Sequence, residues 1–164
     1  MIYVSFRAGF RAGFTVAIVL AVYLIWLWRP ERQVRLHNDH LLDAVETKSW
    51  SRFGDFIDES YRDQWGNERV LLLARLREIL RYAPNLRIEQ LGVGIEFVDH
   101  DAQCRALIRI DADDNDLTAI IKQRVNPLGT PFVFHWRHAS AKPWDWKLTR
   151  VSNDELQLPE SGFE

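Results

Sequence analysis

The chain has 164 residues and a nearly balanced charge, with 21 basic against 23 acidic side chains. This balance excludes the basic footprint of a nucleic-acid-binding protein, so no nucleic-acid partner is expected. A single cysteine, Cys104, excludes an internal disulfide framework. Roughly the first thirty residues differ in composition from the rest. The remaining residues are enough for one compact domain of about 130 residues with its own core.

An uncharged run without proline, Gly13–Trp28, follows the N-terminal flank. It is slightly shorter than the roughly 20 residues that span a bilayer, but Phe10 and its nonpolar neighbours extend it. Tyr23, Trp26 and Trp28 lie toward one end, as in an interfacial aromatic belt. No small-x-small cleavage site follows, so we expect a retained single-pass membrane anchor with the lipid bilayer as its partner. A cleavable signal peptide and a buried core helix are the alternatives.

Arginines flank this run on both sides. Arg7 and Arg11 precede it, and Arg29, Arg32 and Arg35 follow it. The positive-inside rule counts such charges, and here the two sides nearly balance. The side of the membrane on which the rest of the chain lies therefore stays open.

The chain is predicted to contain an N-terminal tail and anchor (1–29), one folded domain (30–153) and a loosely ordered polar tail (154–164). Three helices open the domain, as judged from apolar residues at helical spacing and from capping residues. The first runs from Pro30 to about Thr47, the second from its N-cap Ser49 to about Ser60, and the third from its cap Asn67 to a stop at Pro84-Asn85.

After Asn85 the apolar period changes from helical to two, which predicts strands. The strands are Leu86–Val98, Gln103–Ile110, Leu117 to about Val125, and the two aromatic strands of a hairpin, Phe132–His138 and Trp144–Val151. Gly92 and Gly94 indicate a bulge in the first strand, which suits a strongly curved sheet. Three helices followed by about five antiparallel strands predict an α+β fold with the helices packed on one side of the sheet.

This order of elements resembles the nuclear transport factor 2-like superfamily, a SnoaL-like and cystatin-like α+β cone, over roughly Val34–Asn153. The residues that carry the resemblance are Lys48-Ser49-Trp50 between two helices, Tyr61-Arg62-Asp63 after the second helix, and Trp146-Lys147-Leu148-Thr149-Arg150-Val151 in the last strand. The resemblance implies a pocket between helices and sheet, and frequently a homodimer through the sheet. It does not imply one activity, because this fold hosts enzymes and noncatalytic modules alike.

The same resemblance places the end of the second helix near the mouth of the cone and the hairpin in its wall. The predicted ligand-pocket residues are accordingly Tyr61, Trp65, Phe134, Trp136 and Trp146. The favoured interpretation is a membrane-tethered, noncatalytic domain that binds a small ligand or a partner. That partner would be a second copy of the chain or another membrane-associated protein.

The alternative is a small enzyme of the isomerase or dehydratase type. Asp63 and His135 would act as an acid–base pair that removes a proton next to a carbonyl, as isomerases of this fold do. This chemistry requires a desolvated Asp63 within hydrogen-bond reach of the substrate. His135 alternates with Phe134 and Trp136 along its strand, so an orientation toward the outer face of the sheet stays open.

Two acidic or histidine-rich patterns are weak metal motifs. His37, His40 and Asp43 share a helix face, but no fourth ligand is indicated, so a solvated helix face is expected. The acidic link Asp111–Asp116 lacks the central glycine and distal glutamate of a calcium loop. The chain also has no nucleophile elbow and no phosphate-binding glycine loop. Neither a metal site nor a cofactor is expected.

Overall fold

The computed structural model describes residues 6–99 and 101–157. Within these ranges the helices are α1 (Phe6–Leu27), α2 (Pro30–Glu46), α3 (Trp50–Phe56), α4 (Arg69–Leu80) and α5 (Asp116–Val125). The strands are β1 (Arg87–Val98), β2 (Asp101–Asp111), β3 (Phe132–His138) and β4 (Trp146–Ser152). The predicted α+β class is confirmed. The first residues of the predicted N-terminal tail, and the predicted polar tail beyond residue 157, lie outside the described ranges.

The four described strands form one antiparallel sheet in the order β1-β2-β3-β4. The pairing of β1 with β2 is interrupted between Leu91 and Gly94, where Gly92 has a φ of 65°. An extra residue at such a bulge bends the strand and increases its twist. The predicted bulge is therefore confirmed, and it contributes to the curvature of the sheet.

Helices α2 and α3 pack on the concave face of this sheet. The concave side of β2 carries the small buried residues Ala102, Cys104 and Ala106, which let the helices approach the backbone closely. The neighbouring strands contribute larger buried side chains, among them Trp136 and Leu148. The core thus alternates small and large residues across strands, as close packing requires.

The predicted strand from Leu117 to Val125 is wrong, because this segment forms α5. A reciprocal capping box starts the helix: Thr118 N–H donates to Asn115 Oδ1 at 2.9 Å, and Asn115 N–H donates to Thr118 Oγ1 at 2.9 Å. Asp116 lies in the first turn and Lys122 and Arg124 in the last, which matches the helix dipole. These end effects outweigh the strand propensity of the β-branched residues in the segment.

Two predicted helix boundaries also need correction. The second helix ends at Phe56 rather than near Ser60, because the chain becomes extended at Ile57 and Asp58 N–H donates to the Leu148 carbonyl at 2.9 Å. The third helix is capped by Glu68 rather than Asn67, whose backbone and side-chain N–H groups bind Asp63 instead.

The predicted loose tail is wrong for its first residues. Asn153 Oδ1 accepts hydrogen bonds from Glu155 N–H at 3.0 Å and Leu156 N–H at 2.8 Å. The Glu155 carboxylate in turn accepts from Gly129 N–H at 2.8 Å. Because its backbone is tied down in this way, this segment forms part of the folded domain.

Helix α1 contains an apolar segment, Gly9–Leu27, of 19 residues with a mean hydropathy of 2.0, and none of it is buried in the structure. It is long and apolar enough to cross a membrane. A signal sequence near an N-terminus has the same length and apolar composition.

Candidate functional site

A cavity of about 320 Å³ lies inside the cone, between helices α2, α4 and α5 and the concave face of the sheet. Leu, Ile, Val and Phe side chains make up most of its wall, with Leu41 and Leu72 as examples from α2 and α4. The polar or amphipathic residues of the wall are Tyr61, Asp63, Trp65 and Arg124. Few polar groups in an apolar concavity are typical of a small-molecule site.

The cavity lies at one end of the sheet. Its strand residues include Ile88 near the start of β1, Ile110 near the end of β2, Phe132 at the start of β3 and Val151 near the end of β4. In an antiparallel sheet these positions lie side by side, as the pairing of Ile88 with Ile110 illustrates. The turns that join β1 to β2 and β3 to β4 therefore lie at the opposite end.

Helix α5 contributes to the mouth of the cavity. Ile120 lines the cavity and is also 42% exposed, and the exposed Arg124 lies on the same helix. Leu156, from the ordered start of the C-terminal tail, lines the cavity as well. The sequence pattern predicts neither contribution, because it favours a strand where α5 lies and a loose tail after Asn153. The Asn115–Thr118 capping pair is the sequence signal that identifies α5.

Tyr61, Trp65 and Phe134, three of the five predicted pocket residues, line the cavity. Tyr61 is 2% exposed. Its hydroxyl is influenced by burial and by the Asp63 charge, with no hydrogen bond to it among residues 6–99 and 101–157. Burial, together with the negative charge of Asp63, raises the pKa of the Tyr61 hydroxyl above its usual value. The hydroxyl is therefore protonated near neutral pH and offers a hydrogen-bond donor to the cavity.

Asp63 also lines the cavity, but its carboxylate is occupied by the loop that carries it. Oδ1 accepts from Trp65 N–H at 3.0 Å and from Asn67 N–H at 2.8 Å, and Oδ2 accepts from Asn67 Nδ2 at 2.8 Å. Asn67 Oδ1 accepts in turn from the Arg75 guanidinium at 2.6 Å. This network fixes the 63–67 loop against α4, which is a structural role for the carboxylate.

His135 lies on the other face of the sheet. Its strand neighbours Phe134 and Trp136 are buried on the concave side, and side chains alternate between faces along a strand. Burial, followed by the charges of Arg150 and Arg105, lowers the pKa of His135. The structure therefore does not bring Asp63 and His135 together, and the predicted alternative of an acid–base pair is not assembled.

Trp136 and Trp146 are buried but do not line the cavity. Trp146 instead contacts the His138 ring at a centroid distance of 4.8 Å and the Phe97 ring at 6.3 Å. Trp136 lies 5.9 Å from the His37 ring, edge to face. The aromatic hairpin thus divides its side chains between the cavity and a separate cluster toward the other end of the sheet.

The expected solvated face is wrong for His37. Its ring packs edge-on against Phe56 as well as Trp136, and Nδ1 lies 2.7 Å from the Gln33 carbonyl oxygen. Burial lowers the pKa of His37. His40 is exposed, and Asp43 pairs with Arg52 at 2.7 Å. In the part of the chain that the structure describes, no three His, Cys, Asp or Glu side chains converge to hold a metal ion.

Several solved structures are similar to this chain. The Bdellovibrio bacteriovorus protein Bd1075 has a TM-score of 0.59 at 9% identity, over 78% of this chain and 41% of that one. A nuclear transport factor 2-like protein from Pseudomonas putida has a TM-score of 0.54 at 10% identity, over 74% of this chain and 82% of that one. The S. rosetta CaMKII hub has a TM-score of 0.54 at 16% identity, over 74% of this chain and 95% of that one.

These likenesses concern the fold, since the identities are low. The chain spans less than half the length of Bd1075. No protein-family model and no curated protein matches the sequence.

Proposed function

Starting from the nuclear transport factor 2-like fold of this chain, we propose that it is a membrane-tethered, noncatalytic module that binds a small apolar ligand in the cavity. The observation that carries this proposal is the cavity itself, which is walled by aliphatic and aromatic side chains and contains one unpaired donor, the Tyr61 hydroxyl, among the described residues. Binding becomes more favourable in proportion to the apolar surface of ligand and cavity wall that is removed from water. The tether is supported by the exposed, 19-residue apolar segment of α1.

The size and chemistry of the cavity define a ligand class. At about 320 Å³ it is roughly twice the engineered apolar cavity of about 150 Å³ that binds benzene. A ligand of two fused rings, or an alkyl or terpenoid group of similar bulk, matches this volume. The Tyr61 hydroxyl favours a ligand with one hydrogen-bond acceptor, such as a ketone or an ether.

The arrangement of titratable groups supports a noncatalytic role. Asp63 is the carboxylate of the cavity wall, and both of its oxygens accept hydrogen bonds within the protein. A general base has to reach the proton that it removes, and the three hydrogen bonds hold the Asp63 carboxylate against its own loop. His135 faces away from the cavity, so it offers no second group.

The test compares naphthalene with 2-acetonaphthone, which adds one carbonyl acceptor to the same ring system. Dissociation constants are measured by equilibrium dialysis of the full chain in lipid nanodiscs, with empty nanodiscs as the blank. We expect both compounds to bind and the ketone to bind about fivefold more tightly, because one hydrogen bond to a buried donor contributes about 1 kcal/mol. Tyr61→Phe should abolish this difference and retain naphthalene binding.

Two tryptophan substitutions serve as a matched pair. Ile121→Trp fills the cavity from α5 and should abolish binding of both compounds. Val70→Trp, on α4, introduces the same side chain at a position that is 80% exposed and outside the cavity wall, and it should leave the binding of both compounds unchanged. If neither compound binds above the empty-nanodisc blank, the ligand-binding proposal is wrong.

A homodimer through the convex face of the sheet remains a second proposal. That face presents Leu91, which is 39% exposed, and the half-buried Leu107 and Val133. The similar S. rosetta protein is a CaMKII hub, which supports assembly through this fold. Another membrane-associated protein is the alternative partner, and measurement of the molar mass of the detergent-solubilised chain by light scattering separates a monomer from a dimer.

A further inference from the structure

One end of the molecule gathers several exposed apolar side chains. The β1–β2 turn and the β3–β4 link lie together there, because Asp101 pairs with Arg137 and His138 pairs with Trp146. Helix α1 ends at the same place, since the Trp28 ring lies 6.1 Å from the Trp144 ring. The sheet therefore has two unlike ends, and the cavity lies at the other one.

The exposed apolar residues at this end form what we call the aromatic end: Trp28, Phe97, Val98 and Trp144. Their exposed fractions are 39%, 46%, 52% and 50%, respectively. Tryptophan is enriched where protein meets the headgroup region of a bilayer, because its ring is amphipathic. A cluster of exposed large apolar side chains marks an interaction surface.

The charge around the aromatic end is mixed. Arg29 and Lys142 lie close to it along the chain, and so do Asp99, Asp101 and Asp145. This distribution does not form the polybasic patch that selects anionic lipid headgroups. The surface instead matches the interface of a neutral bilayer, where aromatic burial supplies the attraction.

The connection between α1 and the domain is too short to let the two move apart. Helix α1 ends at Leu27 and α2 begins at Pro30, without a flexible linker. Gln33 Nε2 donates to the Leu27 carbonyl at 2.8 Å, and the Arg32 guanidinium lies 3.5 Å from the Trp26 ring centroid. If α1 spans a membrane, the aromatic end is therefore held at the membrane surface.

We infer that the aromatic end rests in the interfacial layer of the bilayer, so that the cavity mouth at the opposite end of the sheet faces water. This inference rests on the membrane tether of the proposed function. β3 has seven residues, so at about 3.3 Å per residue the cavity end lies on the order of 20 Å from the membrane surface. Ligand then reaches the cavity from the aqueous side.

The test uses nitroxide labels on the full chain in nanodiscs of zwitterionic lipid. Ser140→Cys places a label in the β3–β4 link, and Asp114→Cys places the control label after β2 at the cavity end. The native Cys104 is buried, and burial raises the pKa of its thiol to about 11, so it resists labelling. We expect collisions of the label with a water-soluble nickel chelate to be several-fold rarer at position 140 than at position 114.

Trp144→Ser should raise nickel accessibility at position 140, whereas Tyr82→Ser, at a comparably exposed aromatic residue on the cavity side, should not. Equal accessibility at positions 140 and 114 in a chain that floats with vesicles overturns the inference and leaves the tether intact. A chain that does not float overturns the tether itself. Protection at position 140 that requires anionic lipid also overturns the inference, because it indicates electrostatic docking.

Discussion

Asp63 shows how one buried carboxylate organises a loop. Its two oxygens accept hydrogen bonds from Trp65 and Asn67, and Asn67 binds Arg75 on α4. The stretch Tyr61-Arg62-Asp63 carries part of the family resemblance, and Tyr61 and Asp63 do line the cavity wall. The use of the carboxylate inside its own loop is invisible in the sequence, because it depends on the backbone path from 63 to 67.

We expect Asp63→Ala to destabilise the chain by about 3 kcal/mol, because it leaves buried N–H groups without an acceptor. The measurement is urea unfolding followed by tryptophan fluorescence in detergent micelles. The matched control is Asp55→Ala at an exposed position, where surface substitutions typically change the free energy of unfolding by less than about 0.5 kcal/mol. An equally small loss at both positions would contradict the structural role of Asp63.

His135 illustrates the limit of a period-two pattern. The alternation of Phe134, His135 and Trp136 establishes that the histidine faces away from its neighbours, but it does not say which face is concave. The answer comes from burial, since the two aromatic residues lie in the core. The face of a strand can be assigned from sequence only when one set of residues is clearly polar, and a histidine between aromatic residues is ambiguous.

Among the features of the helices and strands, the bulge in β1 is the one that the sequence predicts best. Gly92 and Gly94 are separated by Val93, and for neither would an added Cβ meet another atom within 4 Å. They differ in backbone conformation, because only Gly92 has a positive φ, of 65°. A residue with a Cβ is strained in that region.

Replacing each of these glycines by alanine measures the cost of placing a Cβ on a backbone with positive φ. We expect Gly92→Ala to cost about 1 kcal/mol more than Gly94→Ala, since both sites have space and only the first is left-handed. Urea unfolding in the same micelles measures the difference. Equal free energies of unfolding for the two variants would show that the bulge does not require the left-handed conformation.

Helix α5 is the element that the pattern analysis misses. The β-branched residues of its segment favour a strand, but Asn115 and Thr118 form a capping box and charges of the correct sign lie at both ends. The first signal is a propensity summed over a few residues, and the second consists of specific hydrogen bonds at one terminus. The error matters for function, because α5 contributes Ile120, Ile121 and Arg124 to the cavity.

For the molecule as a whole, the cone fold and a pocket between helices and sheet are predicted correctly, whereas most residues of the cavity wall are not. Local sequence patterns predict the order of helices and strands, so a resemblance in that order indicates the fold. A cavity is a space that several elements enclose, and its position depends on distances between residues as remote in sequence as Leu41 and Leu156. No local pattern encodes such a space.

Charged substitutions within α1 test the proposed membrane tether. Val19→Arg combined with Val22→Arg places two charges near the centre of the apolar segment of α1, each of which costs about 3 kcal/mol in a bilayer. We expect this variant to lose flotation with lipid vesicles, while Val19→Leu combined with Val22→Leu floats as the native chain does. Comparable near-ultraviolet circular dichroism of the two variants is the control for folding. Flotation of the arginine variant would argue against a spanning α1.

The short junction between α1 and α2 has a mechanical consequence. The Gln33–Leu27 hydrogen bond and the Arg32–Trp26 contact bridge this junction, so α1 and the domain rotate together rather than independently. Rotation of a membrane-spanning α1 about its own axis would be transmitted to the domain as torque. A second helix that pairs with α1 in the membrane would therefore also fix the orientation of the cavity mouth about the membrane normal, without contacting the domain.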